Sequence, residues 1–215
     1  MTRTTTTAAS LLSLLACTAA HAAIPPLSCD SKSFEIVRSR AAASFDARAV
    51  WLDRRLLIWP GAAPDGVFKL YHSASGSIAA PVGGKVSGSA GALTLGLSRD
   101  SLPAPLAERF KYLGAGPLLQ LDGQDAARVG ELHRGQLVLV QEDAQGLVRA
   151  ATRVQAAGAL DDLYAAAAGL DKLGVDIAGK RTGFTVWAPT AQQAAVCVYD
   201  TAALQAPVAW SKRIW

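Results

Sequence analysis

Apolar and polar residues alternate over residues 67–72 (VFKLYH), the spacing of a half-buried β-strand. Residues 92–98 (ALTLGLS), 136–142 (QLVLVQE) and 147–154 (LVRAATRV) are further strand candidates, set between glycine-, proline- and aspartate-bearing turns. Residues 49–59 (AVWLDRRLLIW) hold two apolar runs around Asp53-Arg54-Arg55 and close on Pro60-Gly61. With the turn signal Pro64-Asp65-Gly66 they predict a hairpin or meander leading into the 67–72 strand. Residues 143–146 supply a turn between the strands at 136–142 and 147–154. Helical signals are few. Residues 105–112 are one short candidate; in another, Leu160, Leu163, Tyr164 and Ala167 fall at i, i+3, i+4 and i+7, with Asp161 and Asp162 favouring its start and Gly169 its end. The glycine-bearing, charged run 169–183 reads as a linker, after which 184–187 and 194–199 predict a fresh antiparallel pair interrupted by Pro189. The expected fold is mainly β: an immunoglobulin-like β-sandwich with a few short helices over 23–168, then the first strands of a second, truncated sandwich over 184–215.

Composition narrows the class without changing that picture. With 51% hydrophobic and 18% charged residues over 215 positions, the chain can build a core and is not a disordered one. It has 43 alanines, 14 arginines against 7 lysines and no asparagine, a bias that fits a GC-rich genome, so alanine abundance carries little structural weight. The net charge of +4 is spread along the chain, and no nucleic-acid footprint is visible. Residues 1–22 have the form of a signal peptide: Arg3 and the amino terminus, a short apolar run over 8–20, and Ala20-His21-Ala22 as a small-x-small cleavage site. Leu14-Leu15-Ala16-Cys17 is an alternative lipobox that would leave Cys17 as a lipid anchor. Either way the expectation is export, to periplasm, medium or a lipid-anchored state. The apolar run falls short of the about 20 residues a membrane helix needs, and no later segment does better. Cys29 and Cys197 could pair in an oxidising compartment, or remain free thiols.

Catalytic chemistry has few candidates. Past the signal only His72 and His133 remain, with no Cys-x-x-Cys and no His-x-x-x-His, so no metal and no cofactor is expected. Gly83-Gly84 and Gly88 lack the strand-to-helix context of a phosphate loop and read as a flexible β connection. There is no Gly-x-Ser-x-Gly elbow. The adjacent carboxylates Glu142-Asp143 and Asp161-Asp162 are explained by turn solvation and helix capping, which leaves no catalytic residue.

The most specific run is 183–200 (GFTVWAPTAQQAAVCVYD). It resembles the start of the β-sandwich placed ahead of the barrel in α-amylase-superfamily debranching and branching enzymes, a carbohydrate-binding module of family 48. Its Trp-Ala-Pro-Thr-Ala-Gln form is most similar to the pullulanase branch. Upstream, 47–61 (ARAVWLDRRLLIWPG), 68–76 (FKLYHSASG) and 135–165 resemble the domain before that module in secreted bacterial pullulanase-type α-1,6-glucosidases. The resemblance implies hydrolysis of α-1,6 links by an Asp nucleophile and a Glu acid/base on a (β/α)₈ barrel. That barrel needs about 250 further residues. The superfamily's catalytic segments also use asparagine, which this chain lacks, so no catalytic residue carries over. The chain is therefore expected to be the non-catalytic N-terminal portion of such an enzyme, a fragment whose partners are the catalytic barrel and, weakly, an α-glucan. Sugar faces stack on exposed aromatic rings, and Trp51, Trp59, Tyr71 and Trp210 are the candidate platforms, with core burial as the competing role. Trp187, followed by Pro189, is expected to hold the second sandwich together. The alternatives are a self-standing exported carbohydrate-binding sandwich or one used for protein contacts.

Overall fold

The computed structural model describes residues 43–194, 196–199 and 207–211. The expected signal segment, Cys17 and Cys29 lie outside them. β1 (Ala49–Trp51) and β2 (Leu56–Ile58) form the hairpin read from the two apolar runs. Its turn is fastened by Asp53, whose Oδ1 accepts from the backbone N–H groups of Arg55 and Leu56 at 2.7 and 2.8 Å. β3 (Val67–Ser73) and β4 (Gly91–Leu97) pair antiparallel, as do β6 (Gln136–Glu142) and β7 (Val148–Gln155). Between them lie α1 (Ala104–Arg109), β5 (Leu118–Gln120), α2 (Gly123–Ala127) and α3 (Val129–Leu132). α4 (Ala157–Leu163) follows β7 and passes into a 3-10 turn, Ala165–Gly169.

The fold is mainly β. The hydrogen-bonded order runs β1-β2-β5-β4-β3-β6-β7 and returns to β1 as a closed barrel. One seam is β4, which pairs with β3 through Leu95 and then gives Gly96 and Leu97 to β5. The other is a parallel pairing of β1 with β7, Ala49 opposite Val154 and Val50 opposite Gln155. Closure removes the unpaired edges that an open sandwich has to protect.

Inward positions of every strand of the barrel meet in one core, which includes Trp51, Leu57, Phe68, Leu70, Leu93, Leu95, Leu119 and Leu139. Two smaller clusters cover the outer faces. Ile78, Val138, Val140 and Val148 lie under the 78–86 loop, and Val50, Leu52 and Phe110 lie beside α1. The glycine-bearing loop between β3 and β4 is fastened, not flexible: Gly83 N–H donates to the Val148 carbonyl and Val148 N–H to the Gly84 carbonyl, both at 2.8 Å. A Cβ at Gly88 would lie 1.9 Å from the Ser77 carbonyl oxygen, which makes glycine obligatory there.

Three expectations are corrected. α4 begins at Ala157, so Asp161 and Asp162 sit in its last turn and cap nothing; they pair with Arg109 and Arg54 instead. The helix can start early because Gly158 presses against the β1 end, where a Cβ would come within 2.3 Å of the Trp51 and Leu52 carbonyl oxygens. Part of the expected linker is a strand hairpin, β8 (Gly174–Ala178) with β9 (Arg181–Thr185), turned by Gly179 at φ 61°. Consequently 184–185 pair with Val175 and Gly174, not with 194–199. Val196–Tyr199 (β10) pairs instead with Pro207–Ser211 (β11).

Candidate functional site

Two of the four proposed sugar platforms are buried by the fold. Trp51 and Trp59 are 0% and 1% exposed, so neither has a face on which a pyranose can lie, which corrects that part of the reading. Trp51 packs on His133 with ring centroids 4.5 Å apart, and Trp59 meets Phe68 edge-on at 6.2 Å. Both point inward because period-two alternation puts them in register with Leu57 and the other core positions. Tyr71 is half-buried, its ring on the Ile78 cluster and its hydroxyl donating to Glu142 Oε1 at 2.5 Å. Burial first, and the Glu142 bond second, push its pKa up to about 12. Trp210 stands opposite Cys197 in the β10–β11 register, and its side chain lies outside the described residues. Trp187 is the one of the named tryptophans with a described exposed surface, at 45%. It abuts Tyr164 edge-on, centroids 6.5 Å apart, and Pro189 follows in a turn.

A group missed in the sequence is built around Glu142. Read as part of a solvated turn pair, it is 2% exposed at the end of β6, with Lys69 Nζ 2.7 Å from Oε2 and the Tyr71 hydroxyl on Oε1. Asp143 alone serves the turn, accepting from the N–H groups of Gln145 and Leu147. The available signal was Lys69 and Tyr71 at alternate positions of β3, on the face that the 67-to-142 register gives to Glu142. With both its oxygens taken by partners, Glu142 ties β3 to β6 and presents no free base.

His133 is buried on α3, Nδ1 donating to the Val129 carbonyl at 2.8 Å, and burial lowers its pKa. His72 is lowered too, by burial and then by Arg128. The two imidazoles are not joined by any described contact. A shallow groove of about 240 Å³ opens at the β1–β2 turn, lined by Asp53, Arg55, Ser98, Asp100, Ser101 and Gln120 among others. It holds no aromatic platform, and Asp53 already spends one oxygen on its own turn. Among the described residues no group of three or more His, Cys, Asp or Glu is arranged to hold a metal, and no helix is long and apolar enough to cross a membrane.

Comparison with known proteins gives a consistent outcome. Residues 46–162 match the Pullulanase N2 domain, an interval that coincides with the closed barrel and α4. The pullulanase of Klebsiella pneumoniae is 37% identical over 154 residues, covering 72% of this chain and 14% of that protein. Pullulanase 1, chloroplastic, of Arabidopsis thaliana is 26% identical over 162 residues, 75% of this chain and 16% of that protein. Among solved structures, Klebsiella pneumoniae pullulanase complexed with maltotriose superposes with a TM-score of 0.67 at 33% identity, covering 78% of this chain and 15% of that one. The chain thus spans about one-sixth or less of the length of the relatives it matches. The barrel's extent, its match and its structural neighbours agree, and this chain belongs to the pullulanase family through its N2 domain.

Proposed function

We propose that the chain is the non-catalytic N-terminal portion of an exported pullulanase-type debranching enzyme, acting beside a catalytic barrel that hydrolyses α-1,6 links in pullulan, starch or glycogen. The observation that carries the reading is the coincidence of the N2 match with a barrel whose interior is filled by side chains. An interior packed with Trp51, Trp59, Phe68 and leucines leaves no room for a substrate inside the barrel. In this reading residues 1–22 are the signal peptide and 23–168 the N-terminal β domain. Residues 169–183, which include β8, precede an incomplete family 48-like module over 184–215. The ligand class is an α-glucan, supported by the maltotriose held by the Klebsiella enzyme, and this chain contributes at most weak contact to it.

The test is an assay of the purified chain on pullulan together with affinity electrophoresis in amylopectin gels. No reducing ends should appear, and mobility should change little. Release of reducing ends that a single substitution within the chain abolishes would overturn the proposal.

A further inference from the structure

We propose that residues 187–192 (WAPTAQ) form an intramolecular clasp, seated on a receptor made by α3, the end of α4 and the end of β3, which fixes the angle at which the strands after residue 193 leave the barrel. It rests on contacts within this chain and not on the enzyme reading above.

The run has two anchors and a stiff centre. At one end the Trp187 ring meets Tyr164 at 86°, the edge-to-face arrangement that aromatic quadrupoles favour. At the other, Gln192 Nε2 donates to the Ala74 carbonyl at 2.8 Å, 118 residues away along the chain. Between them Ala191 N–H donates to the Ala188 carbonyl at 3.0 Å, closing a four-residue turn with Pro189 second, the place where a fixed φ suits a tight turn. The turn sets the spacing of the anchors before they dock, so less conformational freedom is lost on seating them.

The receptor is rigid for separate reasons. Tyr164 is the C-cap of α4, its N–H bonded to the Leu160 carbonyl. Its hydroxyl lies over Gly130 of α3, where a Cβ would sit 3.3 Å from the oxygen, so the absence of a side chain at Gly130 makes room for the phenol. Ala74 directly follows Ser73, which is paired with Gln136 of β6. Trp187 is therefore neither a core residue of the second unit nor a free sugar platform. Its 45% exposure reflects a ring covered on the side of Tyr164, whereas its neighbour Val186 is 73% exposed.

Hydrogen exchange on the whole chain tests the clasp. Tyr164→Ala and Gln192→Ala should each speed amide exchange over residues 186–193, by roughly three- to tenfold, the factor that loss of one aromatic or polar contact implies. Exchange in 136–142 should stay as in the parent, and Tyr164→Phe, which keeps the ring, should leave 186–193 protected. If Tyr164→Ala also deprotects 136–142, the barrel itself has loosened, and Gln192→Ala, outside the barrel, decides. Unchanged exchange over 186–193 in Gln192→Ala and in a folded Tyr164→Ala overturns the proposal. So does a parent retarded in amylopectin gels whose retardation vanishes in Trp187→Ala with 186–193 still protected, because the ring would then serve the glucan.

Discussion

Glu142 is the one carboxylate buried among the described residues, at 2% exposure. A buried carboxylate is tolerated only when donors meet it, and here one is a phenol and the other an ammonium group. Tyr71→Phe removes the phenolic donor, and the cost expected from urea denaturation is about 1–3 kcal/mol. A fall smaller than that, with Glu142 still buried, would mean that Lys69 alone satisfies the site. Tyr71 also makes stability fall with alkali. Its folded pKa of about 12 stands above the ordinary 10.0, so its contribution is complete below pH 10 and is lost as pH rises from there through 12. Melting of Tyr71→Phe should be flatter than the parent over that interval. His133 and His72 act on the other side of neutrality. Burial holds both below the ordinary 6.5, so the stability their neutral forms contribute is complete above pH 6.5 and is lost as pH falls beneath it. The charges acting on His72 are Arg128, which lowers its pKa, and Glu131, which raises it, whereas His133 is set by burial against its bond to Val129. His133→Gln should reduce the acid-side slope of unfolding free energy, and His72→Gln should remove a further share; an unaltered slope in both would show that burial is not felt by either ring.

Elements differ in how plainly alternation announces them. β6 runs over Gln136–Glu142, the interval read from QLVLVQE, because a run of β-branched and leucine residues bounded by turn signals suits a strand buried on both faces. β5 is not legible: Leu118–Gln120 is three residues long, between Pro117 and Leu121-Asp122, too short for any period to show. Its place is fixed from outside, by β2 and β4 on either side and by Gly116, where a Cβ would lie 2.1 Å from the Trp59 carbonyl oxygen. The β8–β9 hairpin was hidden differently. Its charges and glycines have the composition of a linker, yet Gly174 and Gly179 take positive φ, and Val175 faces Phe184 across the ladder. α2 could have been found from Asp122, whose carboxylate accepts from the N–H of Asp125. Glycine also sets a sharp test at the α4 start. Gly158→Ala would drive a methyl into two backbone carbonyls at once, and a loss toward the upper end of about 1–3 kcal/mol is expected in chemical denaturation. A variant as stable as the parent would mean that α4 can move away from β1 freely, against the Arg54–Asp162 pairing that fastens the two.

At the scale of the whole molecule the family is legible because runs such as ARAVWLDRRLLIWPG and QLVLVQE, both within the matched interval 46–162, carry it, whereas the candidate site is not, because exposure depends on which way each strand turns. A single half-exposed indole contributes on the order of 1 kcal/mol beyond its burial, against about 4 kcal/mol for even millimolar affinity. Amylopectin retardation of this chain should accordingly be slight; strong retardation would call for a row of platforms that the described barrel surface does not present. The β1–β7 seam has a mechanical consequence. The two strands run parallel, and the end of β7 lies beside the start of β1, so a pull on the chain entering at residue 46 and leaving at residue 155 drags them in opposite senses along their common axis. The bonds across the seam, Arg153 N–H to the Asp46 carbonyl, Arg48 N–H to Thr152 Oγ1 and Gln155 Nε2 to the Ala47 carbonyl, then share the load together and do not open one after another. Tension applied between residues 46 and 155 is therefore resisted by shear and not by unzipping.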